Sequence, residues 1–341
     1  MKRRSYGNKT ARVALAVFCS LILTGCGLSG EKAEEPEKEQ QSQIENTEAE
    51  AEGDKAENII DIIENEESGE ETAEADLTEE DSTEDEEQQD DADGGTVSRP
   101  EPKTRPEGFA LELDSEDWGL GFGEPGTQPV GNASTEDLAW YHAYYMGDGS
   151  EKVLYLTFDC GYENGYTSKI LDTLKEKDVP AAFFCTLPQV KDYPELIARM
   201  ISEGHIVGNH SVKHPSFPTL TRIRMAEELQ GMDNYLRTNF GYSEPFFRFP
   251  MGEYSDCALD LIGSLGYRSV FWSVAYADWD LDKQKGADYA FNTVTARLHP
   301  GAVILLHSVS PDNAEALGRI IDWARGEGYT FKSLRDFPNG Q

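Results

Sequence analysis

From residue 151 onward the chain predicts an α/β fold, a (β/α) barrel of about seven parallel strands, and three observations carry that expectation. Short apolar runs alternate with amphipathic helical patterns, which specifies parallel strands joined by right-handed crossovers, in a doubly wound sheet or a barrel. Polar residues capable of chemistry stand just past strand after strand, as at the C-terminal face of a barrel, and this decides for the barrel. The acidic, low-complexity part of the chain is confined upstream of that region.

The first thirty residues hold five basic residues (Lys2, Arg3, Arg4, Lys9, Arg12) and no acid, followed by the apolar run Val13 to Leu23 and then Thr24-Gly25-Cys26. The run is too short to span a bilayer comfortably, so residues 1–26 read as an export signal. Leu23-Thr24-Gly25-Cys26 resembles the lipobox of bacterial lipoproteins, in which the cysteine is lipidated and becomes the mature N-terminus. An ordinary signal peptide with a chance cysteine is the plainer alternative. Lipidation of Cys26 would supply the acyl chains for stable anchoring and place the protein outside the cytoplasmic membrane, facing the cell wall.

Residues 27–105 read as a disordered acidic linker. Between 31 and 100 there are 29 Asp and Glu against four Lys and Arg, and no aromatic residue. Such a segment cannot bury enough apolar area to offset its ordering entropy. Its reach, on the order of 50 Å, would hold a domain away from a membrane. The apolar island Ile59-Ile60-Asp61-Ile62-Ile63 reads as a transient helix, with a docking peptide as the alternative. Residues 101–341 carry 21 basic and 35 acidic residues. No basic stripe is visible, which sets nucleic acid aside as a partner, and no protein partner is implied.

Residues 106–150 contain Trp118, Trp140, Tyr141, Tyr144 and Tyr145 without clear periodicity. They read as an N-terminal extension packing on the barrel, since aromatics dominate cores, with a sugar-stacking wall as the alternative. Strands are expected at about 153–158, 181–185, 206–208, 246–249, 269–274, 302–306 and 329–331. Between them, Ile170-Leu171-Leu174, Leu196-Ile197-Met200-Ile201, Met225-Leu229-Met232-Leu236, Leu259-Leu261-Ile262-Leu265 and Leu317-Ile320-Ile321-Ala324 read as helices, with Gly204, Gly266 and Gly328 where C-caps fall.

Two imidazoles four apart, His210 and His214, would emerge on one side of a helical turn, where both reach a single divalent cation. An acid near a strand end, Asp159, could act on a water bound there. Arg248 follows another strand, and the later strands lead to Asp278 and His307. Taken singly, Asp159 reads as a helix cap, Arg248 as a surface ion-pair partner and His307 as a core histidine; their joint appearance at strand ends speaks against that. His142, His205 and His299 read as structural. Glu163, Asn164 and Asn313 could line the pocket or cap helices. Cys160, Cys185 and Cys257 form an odd set, so at least one thiol is unpaired.

Residues 151–335 resemble the polysaccharide deacetylases of carbohydrate esterase family 4, in the order of that family's motifs. The resemblance implies a distorted (β/α) barrel as catalytic domain, residues 151–337, and metal-dependent N- or O-deacetylation of glycans. The stretches Thr157–Gly165, Trp272–Trp279 and His307–Leu317 resemble the branch that deacetylates N-acetylmuramic acid in peptidoglycan, as in formation of the muramic δ-lactam of spore cortex. Asp159 then matches the general base that takes a proton from a metal-bound water, and His210 and His214 match metal ligands. Arg248 matches the residue that orients the base, and the backbone N–H of Met251 the oxyanion donor. Asp278 matches the acid that holds the catalytic histidine, and His307 matches that histidine, which protonates the departing amine.

Two departures stand out. Cys160 occupies the position of the third metal ligand, commonly aspartate, and Ala275 another position where aspartate is common. A Cys160 thiolate would ligate zinc and favour it over harder cations; otherwise Cys160 is a small residue and two histidines hold the metal. The expected function is peptidoglycan N-deacetylation at N-acetylmuramic acid with a divalent metal, zinc. The alternatives are a deacetylase of N-acetylglucosamine-containing glycans, an acetyl esterase, or a non-catalytic wall-binding lipoprotein.

Overall fold

The computed structural model describes residues 116–337. The signal-like segment with Cys26, the acidic linker with its Ile59–Ile63 island and the start of the extension lie outside the described residues. Eight strands, β1 (Ala143–Tyr144), β2 (Val153–Cys160), β3 (Ala181–Cys185), β4 (Ile206–Asn209), β5 (Phe246–Phe247), β6 (Arg268–Val270), β7 (Ala302–His307) and β8 (Thr330–Phe331), form one parallel sheet. Its order is β7-β2-β3-β4-β5-β6-β1, with β8 pairing the start of β2. The seven expected runs are β2 to β8. The eighth, β1, comes from the extension and is too short for its pattern to show.

The sheet curls until its ends meet. Val274 bridges Ile304, and Met146 bridges Ala302. The N–H groups of Ser273 and Val274 donate to Val303 O at 2.9 and 3.1 Å, and Leu305 N donates to Val274 O at 2.8 Å. This is the distorted barrel. The run expected as one strand over 269–274 is interrupted after Val270, because the Arg248 guanidinium takes the Val270 and Phe271 carbonyls instead.

Among the described residues eight helices flank the sheet: α1 (Thr135–Trp140), α2 (Thr167–Lys177), α3 (Leu187–Asp192), α4 (Pro194–Ser202), α5 (Arg222–Phe240), α6 (Asp256–Ser264), α7 (Ala287–Thr295) and α8 (Pro311–Gly326). The five apolar patterns are α2, α4, α5, α6 and α8. Thr221, Ser255 and Ser310 cap the N-termini of α5, α6 and α8 with their side chains. Gly204, Gly266 and Gly328, just past α4, α6 and α8, have φ +83, +77 and +85, a conformation in which a Cβ would be strained.

Strand alternation sorts the core into two layers. Leu154, Leu156, Phe158 and Cys160 of β2, Phe183 and Cys185 of β3, and Ile304 and Leu306 of β7 pack with helix residues such as Ile170, Leu171, Ile320 and Ile321. The intervening Val153, Tyr155, Ala182, Phe184 and Val303 join Phe246 and Phe337 in the barrel interior. Trp118, Tyr141 and Tyr145 of the extension are buried with Phe247, Phe249, Leu259 and Phe271, and the Trp118 ring stacks on Phe271 at 4.7 Å. These three aromatic side chains of the extension are packing groups. Phe122 and Trp140 are its exposed aromatics, at 48% and 43%.

Candidate active site

Register brings the first two functional side chains together. Asp159, on the inward face near the end of β2, lies directly opposite His307, the last residue of β7. Both line a cavity of about 810 Å³ with His210, His214, Met251 and Trp279.

Asp159 is 7% exposed and Arg248 fully buried. Arg248 Nη1 donates to Asp159 Oδ1 at 2.8 Å, while Nε donates to Val270 O at 2.8 Å and Nη2 to Phe271 O at 3.4 Å. Its guanidinium lies over the Phe184 ring, 4.2 Å from the centroid. Burial alone would raise the Asp159 pKa; the charges of Arg248, His210 and His307 outweigh it and hold the carboxyl below its ordinary value. Asp159 is thus an ionised carboxylate positioned by a buried cation.

The histidine pair is not on a helical turn, contrary to the expectation from its spacing. Asn209 ends β4, and its Oδ1 accepts from Ser211 N at 2.8 Å, a side-chain-to-backbone bond that competes with helix formation. Ser211 and His214 both have positive φ, 70 and 56, and Ser211 Oγ accepts from His214 N at 2.9 Å. The loop doubles back, leaving the two Nε2 atoms 3.1 Å apart and Asp159 Oδ2 3.6 Å from His210 Nε2.

That separation is near the ~3.3 Å expected for two nitrogens bound tetrahedrally at zinc distances. His210 Nδ1 is 2.8 Å from Arg248 O, so it carries the proton and leaves the Nε2 lone pair facing the cavity. Burial pushes the His210 pKa down to about 4 and lowers that of His214, which keeps both rings neutral, as ligation requires. Among the described residues no group of three His, Cys, Asp or Glu side chains has metal-holding geometry. The donors available to a divalent cation there are the two imidazole Nε2 atoms of His210 and His214.

Cys160 is corrected. Asp159 faces inward, so its neighbour faces the helices: Cys160 is fully buried in the outer apolar layer, paired in register with Cys185. It does not line the cavity, and the thiolate-ligand expectation is overturned by strand alternation. The side-chain contact with Cys160, and then burial, keep the Cys185 pKa well above its ordinary value, so it is an uncharged packing residue.

Met251 sits in the turn Pro250–Gly252 with φ 59 and ψ −2. Such a conformation is uncommon outside glycine and costs on the order of 1 kcal/mol, typical of backbone shaped for a site. Behind it, Gly252 has φ +75, and a Cβ there would lie 2.7 Å from the Trp272 ring.

Asp278 is 1% exposed. Its Oδ1 lies 2.7 Å from His307 Nδ1, and Oδ2 accepts from His307 N at 2.8 Å. Burial alone would lower the His307 pKa, but the Asp278 hydrogen bond and charge, with Asp159 behind them, raise it above the ordinary histidine value. His307 is a held imidazole poised to carry a proton.

Asn313 is expected either to contact substrate or to cap the last helix. Neither holds: Ser310 caps α8 by accepting from Asn313 N at 3.2 Å, and the Asn313 amide reaches Asp278 and Tyr276. Glu163 caps the start of α2, accepting from Gly165 N at 2.6 Å and from Thr167. Asn164 donates to Val309 O at 3.0 Å, tying the loop after β2 to the one after β7. His142, His205 and His299 are buried and do not line the cavity.

An ionised carboxylate and a proton-carrying imidazole, set beside a histidine pair that fits a cation at the C-terminal face of a barrel, are the equipment of a hydrolase. The chain belongs to the polysaccharide deacetylase family, whose model matches residues 146–270, and is a hydrolase of non-peptide carbon–nitrogen bonds. It is 48% identical over 197 residues to the peptidoglycan-N-acetylmuramic acid deacetylase PdaA of Bacillus subtilis, covering 58% of this chain and 75% of that one. The solved structure of Bacillus subtilis PdaA, a family 4 carbohydrate esterase, superposes with a TM-score of 0.64 at 43% identity, covering 67% of this chain and 98% of that one. A peptidoglycan-N-acetylglucosamine deacetylase of Bacillus cereus is 31% identical over 204 residues, covering 58% of this chain and 73% of that one. Deacetylases of the family are generally metal-dependent.

Proposed function

We propose that the chain is a membrane-anchored peptidoglycan deacetylase that removes the N-acetyl group of N-acetylmuramic acid with a divalent cation, zinc, at His210 and His214. The observation that carries this reading is the convergence of the Asp159–Arg248 pair, the Asp278–His307 pair and the two histidine Nε2 atoms on one cavity.

An amide is a poor electrophile with a poor leaving group, so its hydrolysis calls for an activated water, a sink for the oxyanion and a proton for nitrogen. Asp159, kept ionised by Arg248, accepts the proton of the attacking water. His210 and His214 would hold the cation, which would supply Lewis acidity. The backbone N–H of Met251 is assigned to the developing oxyanion. His307, held by Asp278, delivers the proton to the departing amine, and the products are acetate and a free amino sugar. Tyr162, Met251 and Trp279, which line the cavity and are 53%, 53% and 58% exposed, offer apolar faces to pyranose rings.

The choice of muramic acid is supported by the 48% identity to a relative named for that substrate, against 31% to one named for N-acetylglucosamine, and by the stretch His307–Leu317. Once the stem peptide is gone, the freed amine can close on the lactyl carboxylate as a δ-lactam. A lactyl group still amide-linked to peptide has no free carboxylate and crowds the acetamide. The test is mass spectrometry of peptide-free glycan strands before and after treatment, with loss of one acetyl group from muramic acid as the expected result. Ready deacetylation of chitin oligomers with muramic acid untouched would refute the assignment. Anchoring is assigned to lipidation of Cys26, with the catalytic domain outside the membrane and facing the wall. Cys26→Ala should release the protein from the membrane fraction or block its processing, and unchanged retention with normal processing would contradict it.

A further inference from the structure

We propose that Asn313, itself held by Tyr276, is the positioning residue of the Asp278–His307 pair. The inference rests on the reading of that pair as catalytic, but its readouts separate the two. Asn313 is fully buried at the start of α8. Its Nδ2 donates to Asp278 Oδ2 and to His307 O, the latter at 3.2 Å, and its Oδ1 accepts from the Tyr276 hydroxyl at 2.6 Å.

The amide can face only one way. Both Asp278 oxygens serve as acceptors for His307, Oδ1 for the ring and Oδ2 for the backbone N–H, so Nδ2 must point at Asp278, which turns Oδ1 toward Tyr276. Burial, then the charges of Asp278 and Asp312, raise the Tyr276 pKa, so its hydroxyl remains a donor and locks the same orientation. With Oδ1 on His307 Nδ1 and Oδ2 shared between His307 N and Asn313 Nδ2, the Asp278 carboxylate has no freedom to rotate. The acid and the backbone of the histidine it serves are thus clasped by one amide. Tyr276 also lines the cavity, so the outer end of the relay lies at the substrate surface.

Asn313→Asp, Asn313→Ala and Tyr276→Phe in the full-length, zinc-loaded protein test this. Acetate release from peptide-free glycan strands gives kcat and KM from about pH 5 to 9, and proton NMR without substrate follows the His307 Nδ1–H. Asn313→Ala is expected to lower kcat ~10- to 100-fold with KM within about twofold, and to speed exchange of the Nδ1 proton at least ~10-fold. Asn313→Asp keeps shape, cap and the Tyr276 bond but sets a second carboxylate against Asp278. It should be the worse enzyme above neutral pH and recover relative to wild type as pH falls, when one proton shared by the two carboxyls restores a donor.

A residue that merely packs α8 predicts the reverse order, with a ratio to wild type that does not change with pH. Tyr276→Phe, which keeps the ring, should give a loss of roughly 3- to 10-fold with the same NMR signature, and it decides the matter if neither Asn313 variant folds. Wild-type turnover and Nδ1–H exchange in these variants would overturn the inference. If wild-type protein releases no acetate, the proposed function falls, while the NMR comparison still decides the positioning role.

Discussion

Arg248→Met isolates what the buried cation does, because methionine occupies much of the same space over Phe184 and removes only the charge and the donors. Arg248 is fully buried and Asp159 nearly so, and breaking a buried pair by deleting one partner costs about 3–5 kcal/mol, since the other charge is left uncompensated. For a folded region of this size that corresponds to a fall in Tm of roughly 6–20 °C. The sign of the pH dependence follows from Asp159. Its folded pKa is lowered, so its contribution to stability is complete above the unfolded value near ~3.9 and is lost as pH falls through the folded one. Without Arg248, burial dominates, the pKa moves up and the carboxyl takes a proton. The stability gap between wild type and variant should therefore be widest at neutral pH and narrow below about pH 4. Urea denaturation at several pH values, in chelator so that metal linkage does not enter, measures this, and acetate release at neutral pH reads the loss of base. A variant within ~1 kcal/mol of wild type at neutral pH, or one with near-normal turnover, would refute the reasoning.

Asp159→Asn and His307→Ala should each lower turnover by at least ~10²-fold with unchanged circular dichroism, and near-normal acetate release from either removes that residue from the mechanism. Cys160→Ala should leave zinc affinity, measured by chelator competition, unchanged, because the thiol faces the outer apolar layer; only about 1 kcal/mol of stability is at stake. Gly208→Ala should lower the urea midpoint by an amount equivalent to about 1–3 kcal/mol and reduce kcat. An added Cβ would lie 2.6 Å from the Phe184 ring on which Arg248 rests, so an unchanged midpoint would show that the ring yields freely.

What could be read in advance follows from what register fixes locally. Asp159 and His307 were legible because a parallel sheet sets strand ends side by side, and an apolar run that stops at a polar residue marks such an end. Cys160 was not decided by sequence, because it is the last residue of its strand, and its place in the outer apolar layer shows only in its packing. The four-residue spacing of His210 and His214 was read through a helix, yet a loop turned by Asn209 and two left-handed residues produces the same convergence, so spacing found the pair without its backbone. β1 and the closure at Val274 were out of reach because two-residue pairings leave no periodic trace. Asn313 and Tyr276 stand 37 positions apart and meet through the start of α8 and the loop before Asp278. Their part is to hold another side chain rather than to touch substrate, and such a role resides in tertiary contacts alone. The barrel's register thus supplies the reacting groups where sequence can find them, and the loops supply their orientation where it cannot.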